Sequence, residues 1–249
     1  MAHRQLEKSN MSPLPPQALI VSHGQPSEPA PAEAALKGLA SKVTAHLPGW
    51  DVQSATLAAE GRLEEALDTL SHGALIYPMF MAKGWFVTSA LPKRLGQAPV
   101  TVVDPLGVDP ALPDLAAQTL ETAAQDAGWS LGQTTVLLAA HGSGRSRKPA
   151  QMAQGFADAI AARLKVADIR VGFVEEAPFV DQAALGCDAK SICMPLFACP
   201  GFHTTQDVPE ALVKAEFPGL LLPVLGEAPG VPQLIADRLK DHRSLSDPR

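Results

Sequence analysis

The chain has 249 residues, 46% of them hydrophobic and 18% charged, with a formal net charge of −6. That length accommodates one large domain or two small ones, and an apolar fraction near the globular average excludes a disordered or fibrous chain. No run of 18 apolar residues is present to form a membrane span, and an acidic balance without a basic stripe argues against nucleic acid as a partner.

The opening MAHRQLEKSNMSPLPP holds polar residues and prolines where a signal peptide carries an apolar stretch, so a cytoplasmic protein is expected. The first apolar run, residues 18–22, ends at His23-Gly24 and predicts a buried parallel strand. Further strands are predicted at 51–56, 74–77 and 100–103, with helices between them. The pattern then begins again. A strand at 135–140 ends at His141-Gly142, and a helix over 152–164 places Met152, Phe156, Ile160 and Leu164 on one face. Strands at 169–174 and 189–196 follow, then a helix at 208–215, a strand at 220–225 and a helix at 232–239. Asp207 reads as the N-cap of the 208–215 helix, with Pro209 in its first turn.

This recurrence is a repeat in sequence as well as in pattern. Ala18-Leu19-Ile20-Val21-Ser22-His23-Gly24 resembles Leu137-Leu138-Ala139-Ala140-His141-Gly142, and Tyr77-Pro78-Met79-Phe80 with Gly84 resembles Met194-Pro195-Leu196-Phe197 with Gly201. Leu91-Pro92 falls on Val208-Pro209, and Leu106-Gly107 with Pro110 and Pro113 falls on Leu225-Gly226 with Pro229 and Pro232. Four matches in one order at nearly constant offset indicate a tandem duplication of a unit of about 115 residues, with halves 1–129 and 130–249 joined near 126–133. Strand–helix alternation with short connections predicts an α/β fold: in each half a four-stranded parallel sheet covered by helices on both faces. Ligands of such open sheets sit beyond the carboxyl ends of the strands. The positions to inspect are therefore His23, His141, Glu175, Glu176 and the 197–203 loop.

His141, Glu175 and His203 come from the ends of three successive strands, hence one rim. Two imidazoles and a carboxylate suit a borderline divalent metal and leave coordination positions open, and imidazole also moves protons near neutrality. Taken alone, the glycines after His141 are a turn as readily as a ligand loop, and GxxxxGK[ST] is absent. Cys187, Cys193 and Cys199 fall within 13 residues, odd in number and without CxxC spacing. They read as reduced, partly buried thiols; a soft-metal or redox role for Cys199 is the alternative.

The second half resembles the class II chelatases of the sirohydrochlorin chelatase (CbiX) type, which act in cobalamin and sirohaem synthesis. The resemblance rests on His141-Gly142-Ser143, on Gly172-Phe173-Val174-Glu175 with Pro178, and on Pro195-Leu196-Phe197, Gly201-Phe202-His203 and Asp207-Val208-Pro209. It implies two chelatase-like αβ units facing across a cleft, and ATP-independent insertion of Co2+ or Fe2+ into the tetrapyrrole sirohydrochlorin. The metal is then a substrate and no organic cofactor is needed. It also implies His141, His203 and Glu175 as metal and proton-handling groups, with Glu176 the alternative acid if the register is one residue off. Ser143, Arg145, Arg147, Lys148 and Phe202 are the implied substrate contacts, the cations meeting the substrate's carboxylates. In the first half His23 remains, but Leu57 falls opposite Glu175 and Phe86 opposite His203. That half is expected to be a degenerate copy, with Trp85, Phe86, Met79 and Met81 suited to line the cleft and core packing the alternative for at least two of them. A carrier that binds tetrapyrrole or metal without inserting it is the alternative function.

Overall fold

The computed structural model describes residues 15–246. The polar segment behind the cytoplasmic expectation lies outside the described residues as far as Leu14. The first unit runs β1 (Gln17–Ser22), α1 (Pro29–Ala45), β2 (Asp51–Thr56), α2 (Arg62–Thr69), β3 (Ala74–Pro78), α3 (Leu91–Leu95), β4 (Val100–Val102) and α4 (Leu112–Asp126). The second runs β5 (Thr135–Ala140), α5 (Lys148–Ala161), β6 (Asp168–Phe173), α6 (Val180–Ala184), β7 (Ile192–Pro195), α7 (Val208–Lys214), β8 (Leu220–Leu221) and α8 (Val231–Ser246). The two sheets are wholly parallel and have the same strand order, β2-β1-β3-β4 and β6-β5-β7-β8. The duplicated α/β architecture expected from the sequence is the architecture observed.

Side chains of a strand alternate between faces, and here the alternation separates two kinds of core. In β1, Leu19 and Val21 pack with Leu63 of α2 and Leu91 of α3 on the outer face of the first sheet. In β5, Leu137 and Ala139 do the same with Val180 of α6 and Val208 of α7. The opposite sides, Ala18 and Ile20 of β1 and Val136, Leu138 and Ala140 of β5, enter one continuous core shared by both units. Four helices fill that layer, α1, α4, α5 and α8, contributing Leu36, Leu120, Ile160 and Ile235 among others. Each Leu or Ile withdrawn from water in this layer contributes about 1.5–3 kcal/mol, so the joint between the units is a hydrophobic core. A charged pair crosses the same joint. Arg238 of α8 grips Asp109 of the first unit through two hydrogen bonds, 3.0 and 3.1 Å, and the Asp109 side chain is only 3% exposed.

Several boundaries differ from expectation: β7 starts at Ile192 rather than 189, α8 runs on to Ser246 rather than 239, and three further differences have physical reasons. β8 ends at Leu221 rather than 225; the Leu222 amide still bonds Cys193 O at 2.9 Å, but Pro223 has no N–H with which to continue the ladder. Helix α5 starts four residues earlier than the apolar pattern indicated and stops at Ala161. Its buried stripe is Ala153, Ala157 and Ile160, while Met152 is exposed. At α7 the helix is already under way before Val208, because a π-helical turn, His203–Asp207, runs directly into it. Asp207 has helical angles (φ −61°, ψ −45°) and makes no capping bond, so it is not an N-cap. The first unit has the matching π-helical turn, Phe86–Ala90, before α3. Among the described residues no helix is long and apolar enough to cross a membrane.

Candidate metal centre

The carboxyl ends of β5, β6 and β7 bring His141, Glu175 and His203 together. One ligand-capable atom from each lies within 4.8 Å of the other two. The imidazoles meet edge to face, with ring centroids 4.6 Å apart. His141 and Glu175 are exposed and His203 is half-buried, so the group opens to solvent on the rim.

Each member is held by its local backbone. His141 stands directly after β5, and the next residue, Gly142, adopts φ +72°. A Cβ there would come within 2.9 Å of Phe173 Cβ and 3.0 Å of Glu176 Oε1, so glycine is demanded by both angle and space. The tight turn lets Glu175 N donate to His141 O at 2.9 Å, placing the carboxylate beside the first imidazole. Glu176 does a different job. Its Oε1 accepts a 2.7 Å hydrogen bond from Ser143 N, fixing the loop that follows His141. The two neighbouring acids, undecided in the sequence, are thus spatially distinct: Glu175 with the histidines, Glu176 with the loop backbone.

The ring nitrogens are also defined. His141 Nδ1 lies 3.0 Å from Gly142 O, and His203 Nδ1 lies 2.6 Å from Asp207 Oδ2. A carbonyl or carboxylate oxygen only accepts, so each Nδ1 carries the hydrogen and each Nε2 of a neutral ring keeps its lone pair. Asp207 was read in the sequence as a helix cap; the signal for its contact was the four-residue spacing from His203, which a helical turn brings onto one side.

Ser143 sits in the held loop, and Arg145, Arg147 and Lys148 are all exposed around the start of α5. Their side chains have no hydrogen-bond or ion-pair partner among the described residues, although the Arg145 and Lys148 backbones are tied to Ser143 Oγ and Ser146 Oγ. Phe202 is half exposed and meets His203 edge to face at 6.2 Å. Ser22, the last residue of β1, is near enough to the Cys199 thiol to oppose the rise in its pKa, so the loop after β7 lies close to the end of the first sheet. Burial pushes Cys199 and Cys193 up to about 12, leaving both as neutral thiols at ordinary pH. All three cysteines are free.

The equivalent rim of the first unit is built differently. Ala58 N donates to His23 O at 2.8 Å, as Glu175 N does to His141 O. Ala58, not Leu57, therefore lies opposite Glu175, and Leu57 packs in the outer core as Val174 does. The expected pairing was one residue off because 35 residues separate His23 from Ala58 and 34 separate His141 from Glu175. Phe86 does occupy the place of His203. Its ring lies 4.3 Å from that of His23, with Phe80 and Trp85 at 5.8 and 5.2 Å. Burial lowers the His23 pKa, favouring the neutral ring. Met79 is buried and Trp85 is 67% exposed.

Fold and rim together define a duplicated αβ protein of the chelatase type. The CbiX family model matches residues 17–123 and again 135–242, and the chain belongs to that family, the sirohydrochlorin chelatases. A curated relative from Halobacterium salinarum, a probable sirohydrochlorin cobaltochelatase, is 24% identical over 222 residues, covering 77% of this chain and 75% of its own. Among solved structures, CbiX, described as the terminal enzyme for biosynthesis of siroheme in denitrifying bacteria, is 45% identical with a TM-score of 0.82, covering 90% of this chain and 98% of that one. SirB from Bacillus subtilis with Fe3+ shares the fold at 16% identity and TM-score 0.70, over 93% and 97% of the two chains. DR2241 from Deinococcus radiodurans shares it at 22% and 0.66, over 90% of this chain and 54% of its own.

Proposed function

We propose that this protein is an ATP-independent chelatase, a lyase that inserts a divalent metal into sirohydrochlorin at the rim of the second unit. The observation that carries the reading is the convergence of His141, Glu175 and His203 within 4.8 Å, open to solvent where a macrocycle could approach. Insertion exchanges one M2+ for two pyrrole N–H protons. Neutral imidazole Nε2 atoms can hold the arriving cation and then accept the departing protons, while the Glu175 carboxylate offsets the added positive charge. Arg145, Arg147 and Lys148, unpaired among the described residues and beside the rim, are suited to the substrate's peripheral carboxylates, and Ser143 and Phe202 to its edge and face. The first unit, with Ala58 and Phe86 at the places of Glu175 and His203, serves as support and cleft wall. The donor set accepts Co2+ and Fe2+ alike. The 45% identical relative is a siroheme enzyme, which favours Fe2+ and the sirohaem branch over cobalamin. No organic cofactor is called for, and the proposed site of action is the cytoplasm.

The test is the absorbance change of sirohydrochlorin supplied with Fe2+ or Co2+ under anaerobic conditions, at protein concentrations far below substrate. Multiple turnovers are expected, lost in His141→Ala and His203→Ala and retained in His23→Ala. Binding that stops at one equivalent without metal-dependent conversion would identify a carrier instead. Equal loss in His23→Ala and His141→Ala would show that the first unit takes part in the chemistry.

A further inference from the structure

We infer that Asp207 is a positioning residue for His203, fixing which imidazole nitrogen faces the metal. The inference rests on the chelatase reading above and adds a residue to it. The Asp207 Oδ2 to His203 Nδ1 separation is 2.6 Å, and both side chains are about one-third exposed. Because the carboxylate accepts and cannot donate, the hydrogen is held on Nδ1 and the ring orientation is set, with Nε2 left as the donor atom to a cation. A carboxylate behind a ligating histidine is a general device for orienting the ring and raising its basicity.

Two further observations point the same way. First, the competing explanation fails: Asp207 lies inside the π-helical turn with helical angles and no capping bond, so helix initiation does not account for it. Second, the matching turn of the first unit places Phe86 where His203 stands and Ala90 where Asp207 stands. The turn is kept, and the histidine and its carboxylate are both absent from it. The turn therefore forms without a carboxylate at this position, so the turn itself does not require Asp207. His141 needs no such partner, since Gly142 O performs the same service from the backbone.

The experiment compares the full-length protein with Asp207→Ala, Asp207→Asn and His203→Ala by two measurements. One is Co2+ affinity without tetrapyrrole; the other is the 15N spectrum of the imidazoles in metal-free protein. Asp207→Ala is expected to weaken Co2+ binding on the order of 10–100-fold and to release His203 from the Nδ1–H form, leaving His141 in it. Asp207→Asn keeps the volume and, through Oδ1, an acceptor for Nδ1–H, but removes the charge. Its Co2+ affinity should fall between those of wild type and Asp207→Ala, where a structural role would leave it near wild type. If His203→Ala loses Co2+ while both Asp207 variants keep it, the positioning role is wrong and the site stands. If His203→Ala keeps full Co2+ affinity, the site itself is wrong and Asp207 falls with it.

Discussion

Replacing Gly142 by alanine tests the fold and the site together. At φ +72° an L-residue sits in the left-handed region, at a cost of about 1–2 kcal/mol. The new methyl would also meet Phe173 Cβ at 2.9 Å and Glu176 Cγ and Oε1 at 3.0 Å, and relief of such crowding adds about 1–3 kcal/mol. The expected destabilisation is then about 2–5 kcal/mol, or roughly 5–15 °C in Tm for a protein of this size. Gly24 is the internal control. It has φ +74° and would crowd Thr56 Cβ at 2.6 Å, so Gly24→Ala should lose comparable stability. Gly144→Ala, whose methyl would find only Glu175 O at 3.7 Å, should stay within about 0.5 kcal/mol of wild type. Metal binding separates the first two. Gly142→Ala displaces Glu176 from Ser143 N and shifts His141, so Co2+ affinity of the folded protein should fall on the order of 10-fold or more. Gly24→Ala should leave it nearly unchanged. Urea unfolding followed by circular dichroism gives the stability, and a Co2+ titration well below Tm gives the affinity. A Gly142→Ala protein as stable as wild type would refute the backbone argument, and equal affinity losses at Gly24 and Gly142 would refute the confinement of the site to the second unit.

Arg238→Ala leaves Asp109 buried without its cross-unit partner. Loss of a buried pair costs about 3–5 kcal/mol, and because the Arg238 side chain is 28% exposed the expected loss is nearer 2–3 kcal/mol. Unfolding should remain a single transition, since the two units share one core; a separate early transition of either unit would contradict that core. A second expectation concerns alkaline pH. Cys193 is fully buried and its pKa is raised to about 12, chiefly by burial, whereas an unfolded thiol titrates near 8.5. The unfolded state therefore loses a proton that the folded state keeps, and stability must fall as pH rises above about 8.5. By pH 10 the loss is about 2 kcal/mol from this thiol. Denaturant midpoints from pH 8 to 10 should drop less steeply in Cys193→Ala than in wild type, and parallel slopes would show the thiol to be accessible to base.

Much of this was legible in the sequence because the fold writes itself in short-range patterns. Apolar runs ending at His-Gly mark buried parallel strands, and their recurrence marks the duplication. Chemistry then follows from topology, since residues after consecutive parallel strands must share a rim. That reasoning reached His141, Glu175 and His203 without any structure. It failed where the information is not local. The Leu57 pairing went wrong because one extra residue lies between the first two strands of the first unit, and an offset taken at the His-Gly motif cannot register it. Only the hydrogen bond from Ala58 N to His23 O fixes the match. Asp207 was misread because Asp-Val-Pro has the composition of a helix start, and a π-helical turn leaves no trace in a 3.6-residue apolar period.

The comparison of the two units separates what the backbone requires from what the chemistry requires. Both keep a glycine at positive φ after the strand-end histidine, Gly24 and Gly142. Each also keeps a glycine where a Cβ would strike backbone, Gly107 at 1.9 Å from Met81 O and Gly226 at 1.8 Å from Ala198 O. The π-helical turn before α3 recurs before α7. Steric demands of this kind hold whether or not a metal is ever bound. Among the many positions at which the units differ, Ala58 against Glu175, Phe86 against His203 and Ala90 against Asp207 bear on the rim, where the fold tolerates a small or apolar side chain equally well. Each replacement removes a charge or a lone pair from the same rim, and Phe86 puts an aromatic ring against His23 in its place. A carboxylate, an imidazole and that imidazole's partner, present on one rim and absent from the other while the backbone devices are kept in both, are what one metal site in one half of a duplicated scaffold would require.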